Sequence, residues 1–175
     1  GICLGLGGHP LIRNRSHILN KAYYKDTPAK EQFRTIWNYF YDNIKKFKEI
    51  EEAGPYSVFG EWCLAQHGIV YNRLPDWFIA YDLYDYEKKI WLATPKARKI
   101  LTDAKFDVPV LKFTGEMHTG YCNFVKWANE PAAWSDEKAE GIYVKVHNDD
   151  EITGRFKMVR SDFVRGANWN PDKMK

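Results

Sequence analysis

The residues best suited to chemistry lie close together late in the chain. Glu140-Gly141-Ile142-Tyr143-Val144-Lys145 sets a carboxylate, a glycine and an amine within six residues. Ile142, Val144 and Val146 alternate with Tyr143 and Lys145, the period of a strand with one apolar face and one polar face. Ten residues on, Arg155-Phe156-Lys157-Met158-Val159-Arg160 carries further cations in the same alternating style. Asn148-Asp149-Asp150 reads as the hairpin turn between them. Neighbouring strands that each bury one face and offer cations on the other suit a polyanion.

Other positions bear on that site. In the strand around Tyr56 to Cys63, Phe59, Glu61 and Cys63 share one face, and a glutamate between rings is costly to bury alone. Glu61 therefore pairs with a cation, coordinates something or faces a cleft, unless the strand is an edge and the carboxylate meets water. Arg13-Asn14-Arg15-Ser16-His17 is dense in donors for phosphate or ribose oxygens; a solvated strand end is the plainer alternative. The Gly5/Gly7/Gly8 cluster lacks both the Lys-Ser/Thr of a phosphate loop and a following helix. Lys112-Phe113-Thr114-Gly115 fits a Lys-x-x-Gly pattern that can mark a lysine nucleophile, on two fixed positions only. Seven Trp, eleven Tyr and ten Phe supply a core rich in large rings, some available as stacking platforms for bases.

The elements that must position these residues come from a chain of 175 residues, the size of one domain with a proper core. Short β-like runs at 2–6 and 11–15 flank a turn at Gly7-Gly8-His9-Pro10. Thr27-Pro28 opens a helix whose stripe runs Phe33, Ile36, Trp37, Phe40, Ile44 and Phe47 to a stop at Gly54-Pro55. Strands follow at 56–63 and 77–84, with a polar turn from Tyr84 to Lys89. A second cap and proline, Thr94-Pro95, opens an amphipathic helix through Ala97, Ile100, Leu101 and Ala104. A strand at 108–113, a helix at 121–128 and a loop at 129–135 precede the hairpin, and the end frays from Pro171.

Apolar residues at 45% and charged residues at 28% are ordinary for a globular chain. A net charge of +3 permits a nucleic-acid partner without arguing for one. Cys3, Cys63 and Cys122 show no ligand spacing, which excludes a disulfide framework and a zinc site and suggests a reducing intracellular setting. No apolar run is long enough for a membrane span, and no signal peptide is read. The start lacks Met and reads as mid-strand, so the chain is expected to be a fragment.

The order of motifs is more specific than any one of them. An Arg-rich strand end, Phe59-Gly60-Glu61, Phe78-Ile79-Ala80-Tyr81-Asp82, Glu140-Gly141 with Lys145, and a Lys157 strand follow in series. From Gly1 to Val164 the chain resembles the covalent nucleotidyltransferase superfamily of polynucleotide ligases and capping enzymes, and within it the RNA ligase 2 family. The resemblance implies an α+β fold, with antiparallel sheets forming a nucleotide cleft and helices packed outside. It makes residues 1–170 a nucleotidyltransferase (adenylation) domain without its motif I segment, and 171–175 a tail. Arg15 resembles the arginine that engages substrate ends, and Glu61 the glutamate that contacts the nucleotide sugar or supports metal binding. Tyr81 is similar to the ring that stacks on adenine, and Glu140 to the acid associated with the divalent metal. Lys145 extends toward the phosphates, and Lys157 resembles the first lysine of a Lys-x-Lys pair that holds the α-phosphate.

There are two departures from the family pattern. Val159 stands at the second lysine, with Arg155 or Arg160 available to supply its charge. The nucleophilic lysine of the family precedes the first strand and would lie upstream of Gly1; Lys112 sits between the wrong motifs to replace it. The resemblance implies an ATP-dependent RNA ligase that uses Mg²⁺ or Mn²⁺, joins RNA ends through lysyl-AMP, and acts as a monomer. The chain alone is expected to be unable to adenylylate itself. A DNA ligase, a capping guanylyltransferase, a non-catalytic end-binding module and a generic α+β domain are the alternatives.

Overall fold

The computed structural model describes residues 1–4, 10–15, 17–19, 33–64, 68–116 and 121–163. The glycine turn at 7–9 and the Thr27-Pro28 helix start lie outside the described residues. Seven strands and four helices are seen among the described residues, an α+β arrangement. Strands β1 (Ile2–Leu4), β2 (Pro10–Ile12), β3 (Tyr56–Trp62), β4 (Phe78–Asp85) and β5 (Ile90–Trp91) form one antiparallel sheet in the order β2-β1-β3-β4-β5. Strands β6 (Gly141–His147) and β7 (Ile152–Val159) form a separate antiparallel hairpin.

One face of the five-stranded sheet builds the core. Ile2, Ile12, Val58, Trp62, Phe78, Ala80 and Leu83 pack with Phe40, Phe47, Ile50, Ala97, Leu101 and Phe106. Rings meet edge-on or tilted, with Phe40 and Phe47 centroids 4.7 Å apart and Phe47 and Phe106 5.1 Å apart. The helical stripe read from the sequence is the buried one, but it belongs to two helices, α1 (Ile36–Asp42) and α2 (Ile44–Ala53). Asn43 separates them. Its side-chain amide donates to the Tyr39 carbonyl at 2.9 Å, while its backbone N–H reaches the same oxygen at 3.0 Å. A short amide side chain that competes for helical carbonyls is a known interruption.

Two further expectations are corrected. Thr94 does not cap helix α3 (Thr94–Asp103); it is the first helical residue, and its buried hydroxyl has no hydrogen bond among the described residues. Residues 108–113 are not a strand. A single backbone bond, Ala80 N–H to Asp107 O at 2.9 Å, ties the preceding residue to β4, and Pro109 has no N–H with which to continue a ladder. Arg98 instead donates to the Pro109 carbonyl at 2.6 Å, and Phe113 stacks on Trp127 of helix α4 (Tyr121–Ala128).

The hairpin pairs Tyr143 with Lys157 and Lys145 with Arg155, so these four side chains share one face. Sequence alternation makes this the open, polar face and Val146 a buried position. The burial is mixed: on the polar face the Lys145 side chain is 13% exposed but Tyr143 is 53%, and on the other face Val146 is 46% and Phe156 59% exposed while Ile142 and Val144 are half-buried. Lys145 and Arg155 turn inward onto the larger sheet. Asn148 closes the turn by accepting from the N–H groups of Asp150 and Glu151. The turn is fastened to the start of helix α3 by an Ala93 N–H to Asp150 O bond at 2.8 Å and a Lys96–Asp150 ion pair at 2.6 Å.

Gly141 starts the hairpin where no side chain fits. A Cβ there would meet the Met158 carbonyl oxygen and lie 2.8 Å from Val159 Cα, both backbone atoms that cannot swing away. Gly141→Ala should therefore destabilise the protein by about 1–3 kcal/mol, the usual cost of forcing a methyl group into filled space. Urea denaturation compared with the unsubstituted chain checks this; an unchanged midpoint would refute it.

Candidate functional site

The site begins with an irregularity in β4. The β3–β4 register steps from Phe59↔Asp82 to Gly60↔Ala80, leaving Tyr81 without a cross-strand partner. An extra residue of this kind shifts the side-chain alternation. Phe78 and Ala80 face the core before it and Leu83 after it, while Tyr81 and Asp82 both turn toward the hairpin. Gly60 makes the irregularity possible, since a Cβ there would lie 2.6 Å from the Ile79 carbonyl oxygen and from the Phe78 ring.

Lys145 fills the space opposite. Its Nζ donates to the Tyr81 carbonyl at 2.9 Å and to Asp82 Oδ1 at 2.6 Å, and lies 5.4 Å and 5.9 Å from the Tyr81 and Tyr143 ring centres. The bulge carbonyl thus finds its partner across the cleft. Asp82 is fully buried and meets a second cation, with Arg155 Nη2 3.2 Å from Oδ2. Neither of those two atoms has a hydrogen bond of good geometry, so that contact is chiefly Coulombic. The Arg155 guanidinium also lies over the Trp91 ring at 4.4 Å.

Electrostatics follow from this crowding. Burial draws the Lys145 amine below its ordinary value; the bond to Asp82 opposes this, and Arg155 and Arg98 reinforce it. Burial, then the negative charges of Glu61 and Asp82, push the Tyr81 phenol up to about 12. The Tyr71 phenol is also raised, first by burial and then by Cys63, Glu140 and Glu61.

The remaining expected residues fall unevenly. Lys157 Nζ pairs with Glu140 Oε1 at 2.6 Å, both partly exposed at the mouth of the same cleft. Arg15 lies exposed in the turn after β2, two strands away from β3, and no contact joins it to the cleft among the described residues. Lys112 pairs with Glu130 at 2.7 Å, apart from the cleft. Val159 stands opposite Gly141 in the hairpin register. Arg160 is committed to structure, donating to Ala139 O at 2.7 Å and pairing with Asp162 at 2.9 Å. Of the two arginines considered as replacements for the missing lysine, Arg155 is the one on the inward face.

The family model for RNA ligase matches residues 8–159. The chain belongs to the RNA ligase family. That span contains Glu61, Tyr81, Glu140, Lys145 and Lys157, and family membership supports a general RNA-ligase-type function. No curated protein and no solved structure matches the chain. Among the described residues no helix is long and apolar enough to cross a membrane.

Asp82, Tyr143 and Arg155 were not singled out as site residues from sequence, although Arg155 was considered as a substitute for a lysine. Asp82 carried a usable signal, a carboxylate inside the apolar run Phe78 to Leu83, where burial demands a counter-charge. The bulge that aims it carried none. Removing one member of a buried ion pair typically costs about 3–5 kcal/mol, because the partner is left uncompensated. Asp82→Asn should approach that loss in urea denaturation, and Asp82→Asn with Lys145→Met should cost less than the sum of the single changes. Additive losses would show that the two groups act independently.

Proposed function

We propose that this RNA ligase family member binds ATP in the cleft between the sheet and the hairpin and joins RNA 3′-OH and 5′-phosphate ends through lysyl-AMP and adenylylated RNA. What supports the reading is one convergence: Tyr81 and Asp82 from the sheet meet Lys145 and Tyr143 from the hairpin, and the Lys157–Glu140 pair lies on the same hairpin. Tyr81 offers a ring face to adenine, and its phenol stays protonated at neutral pH, so no anion is presented to the base. Glu61 accepts from the sugar hydroxyls. Lys157 and Lys145 supply cationic donors where charge develops on the α-phosphate. Arg15 engages the RNA ends, which places its work at the later, sealing step.

In this reading the attacking amine is that of the lysine which the family resemblance sets ahead of the first strand. Ile2 pairs with Val58 in antiparallel register, so a segment leading into β1 would pass beside Gly60 and Glu61, at the edge of the cleft. The amine attacks the α-phosphorus and the bond to pyrophosphate breaks. AMP then passes to the RNA 5′-phosphate, and the 3′-OH finally displaces AMP to form the phosphodiester. Each step needs a deprotonated nucleophile near fixed cations.

Among the described residues no group of three or more His, Cys, Asp or Glu could hold a metal ion. The Glu140 carboxylate is a hard oxygen donor of the kind that would hold Mg²⁺ or Mn²⁺ together with substrate phosphates and water. Mg²⁺ or Mn²⁺, when bound, neutralises the triphosphate and makes pyrophosphate a better leaving group. Lys157 must give up Glu140 for this to occur, and it then becomes available to a phosphate.

Two measurements test the proposal. Tyr81→Ala should weaken ATP binding about tenfold, the scale of one lost base–ring stack, while Tyr81→Phe stays near the parent value. An ATP affinity unmoved by Tyr81→Ala, Lys157→Ala and Glu140→Ala would return these groups to a solvated, structural role. With ATP and Mg²⁺, the 175-residue chain should remain unlabelled, and a version extended upstream through Lys-x-Asp-Gly should acquire covalent AMP. Labelling by GTP instead would indicate capping chemistry, and sealing of nicked DNA over nicked RNA would indicate a DNA ligase.

A further inference from the structure

A second opening, of about 350 Å³, is lined by Tyr71, Asn72, Leu74, Pro75, Asp76 and Trp77. It is built from the connection between β3 and β4, and that connection is firmly held. Ser135 donates to the Val70 carbonyl at 2.7 Å, and Arg73 pairs with Asp136 at 2.6 Å while also donating to Ser135 O at 3.0 Å. Asn72 donates to Asp136 at 2.8 Å. At the other end, Cys63 N–H reaches Trp77 O at 2.7 Å, and Asp76 accepts from Trp77 N–H at 2.6 Å and Tyr39 O–H at 2.8 Å. The wall is therefore in place before any ligand arrives, the condition for binding without an ordering cost.

The chemistry of the lining selects its occupant. Trp77 is 37% exposed and its ring meets no other ring among the described residues, so a flat surface is on offer. Leu74 and Pro75 add apolar area. The charges nearby are already matched: Arg73 with Asp136, and Asp76 with Lys46 at 3.3 Å. Among the described lining residues the only charged one, Asp76, is already paired, and a flat, neutral group with polar edges fits. The volume lies near the lower end of small-ligand sites, about 300–1,000 Å³. Tyr71 lines this opening, and the Cys63 N–H to Trp77 O bond sets Trp77 against the end of β3, two residues on from Glu61.

We propose that this opening takes an unpaired nucleobase of the RNA strand whose end lies in the cleft, stacked on Trp77. The proposal rests on the ligase reading, because that reading brings an RNA end to Glu61 and Glu140. It assigns the loop between β3 and β4 the task of holding the strand by a base, while cations elsewhere hold it by phosphates.

The test uses the 175-residue chain and single-stranded oligoribonucleotides, one set ending in a 5′-phosphate and one in a 3′-OH. Trp77→Ala, and Trp77→Leu as a bulkier replacement, should bind the docked set about tenfold more weakly, the loss of one stack. The slope of affinity against salt should stay unchanged, because no phosphate contact is removed. An abasic residue at the docked position should weaken the parent to the level of Trp77→Ala and leave Trp77→Ala unaffected. The set that shows this coupling identifies which strand end supplies the base. ATP affinity should not move.

RNA affinity equal in parent and variants, or abasic losses equal in both, would overturn the proposal while leaving the ligase reading intact. Parallel losses of ATP and RNA affinity would overturn it too, by showing that Trp77 merely supports the fold. Failure of the parent chain to bind either ATP or RNA would remove the ligase reading itself and this site with it.

Discussion

Everything in the cleft depends on one buried carboxylate. Asp82 has no access to water, and it holds Lys145 at 2.6 Å and Arg155 at 3.2 Å. Those two cations come from the two strands of the hairpin, so a single acid on the sheet draws Lys145 and Arg155 toward it. Among the described residues the hairpin and the five-stranded sheet share no extended strand pairing. They are joined by an isolated bridge between Leu92 and Glu151, by ion pairs and single hydrogen bonds, and by the Trp91–Arg155 stack. Such a joint sets orientation through charge geometry, where a hydrophobic joint would tolerate sliding.

The bulge at Tyr81 is the complementary device on the sheet side. A regular strand would send Tyr81 and Asp82 to opposite faces. The extra residue lets a ring and a carboxylate work side by side, and it releases a carbonyl that Lys145 then satisfies. The small residue opposite, Gly60, accommodates the crowding. Bulge, glycine, acid and lysine are thus one unit, and its members lie far apart in sequence.

How much was legible follows from the range of the forces involved. Alternation located β3, β4, β6 and β7, and helical spacing located the buried stripe of α1 and α2, because both are local patterns. Motif order named Glu61, Tyr81, Glu140, Lys145 and Lys157, and of these the fold joins Lys145 to Tyr81 and Lys157 to Glu140. The inward turn of Lys145 was not legible: alternation says that two faces differ, and only the partner sheet decides which face is covered. The same holds for Asp82, whose counter-charges lie more than sixty residues downstream. Asn43 and Pro109 show the opposite failure, local chemistry that outweighed a periodic pattern. Arg15 is read from its donor-rich run and from family likeness, and among the described residues no contact ties it to the cleft.

The Lys157–Glu140 pair at the cleft mouth has a consequence for access. A lone cation settling on Glu140 strands the lysine, and a lone anion settling on Lys157 strands the glutamate. Either visitor leaves one charge behind, and with side chains 49% and 35% exposed water takes up that charge at little cost. A visitor that carries both signs together would replace each partner in one event. The pair therefore opens easily, in contrast to the buried Asp82 junction that holds the hairpin.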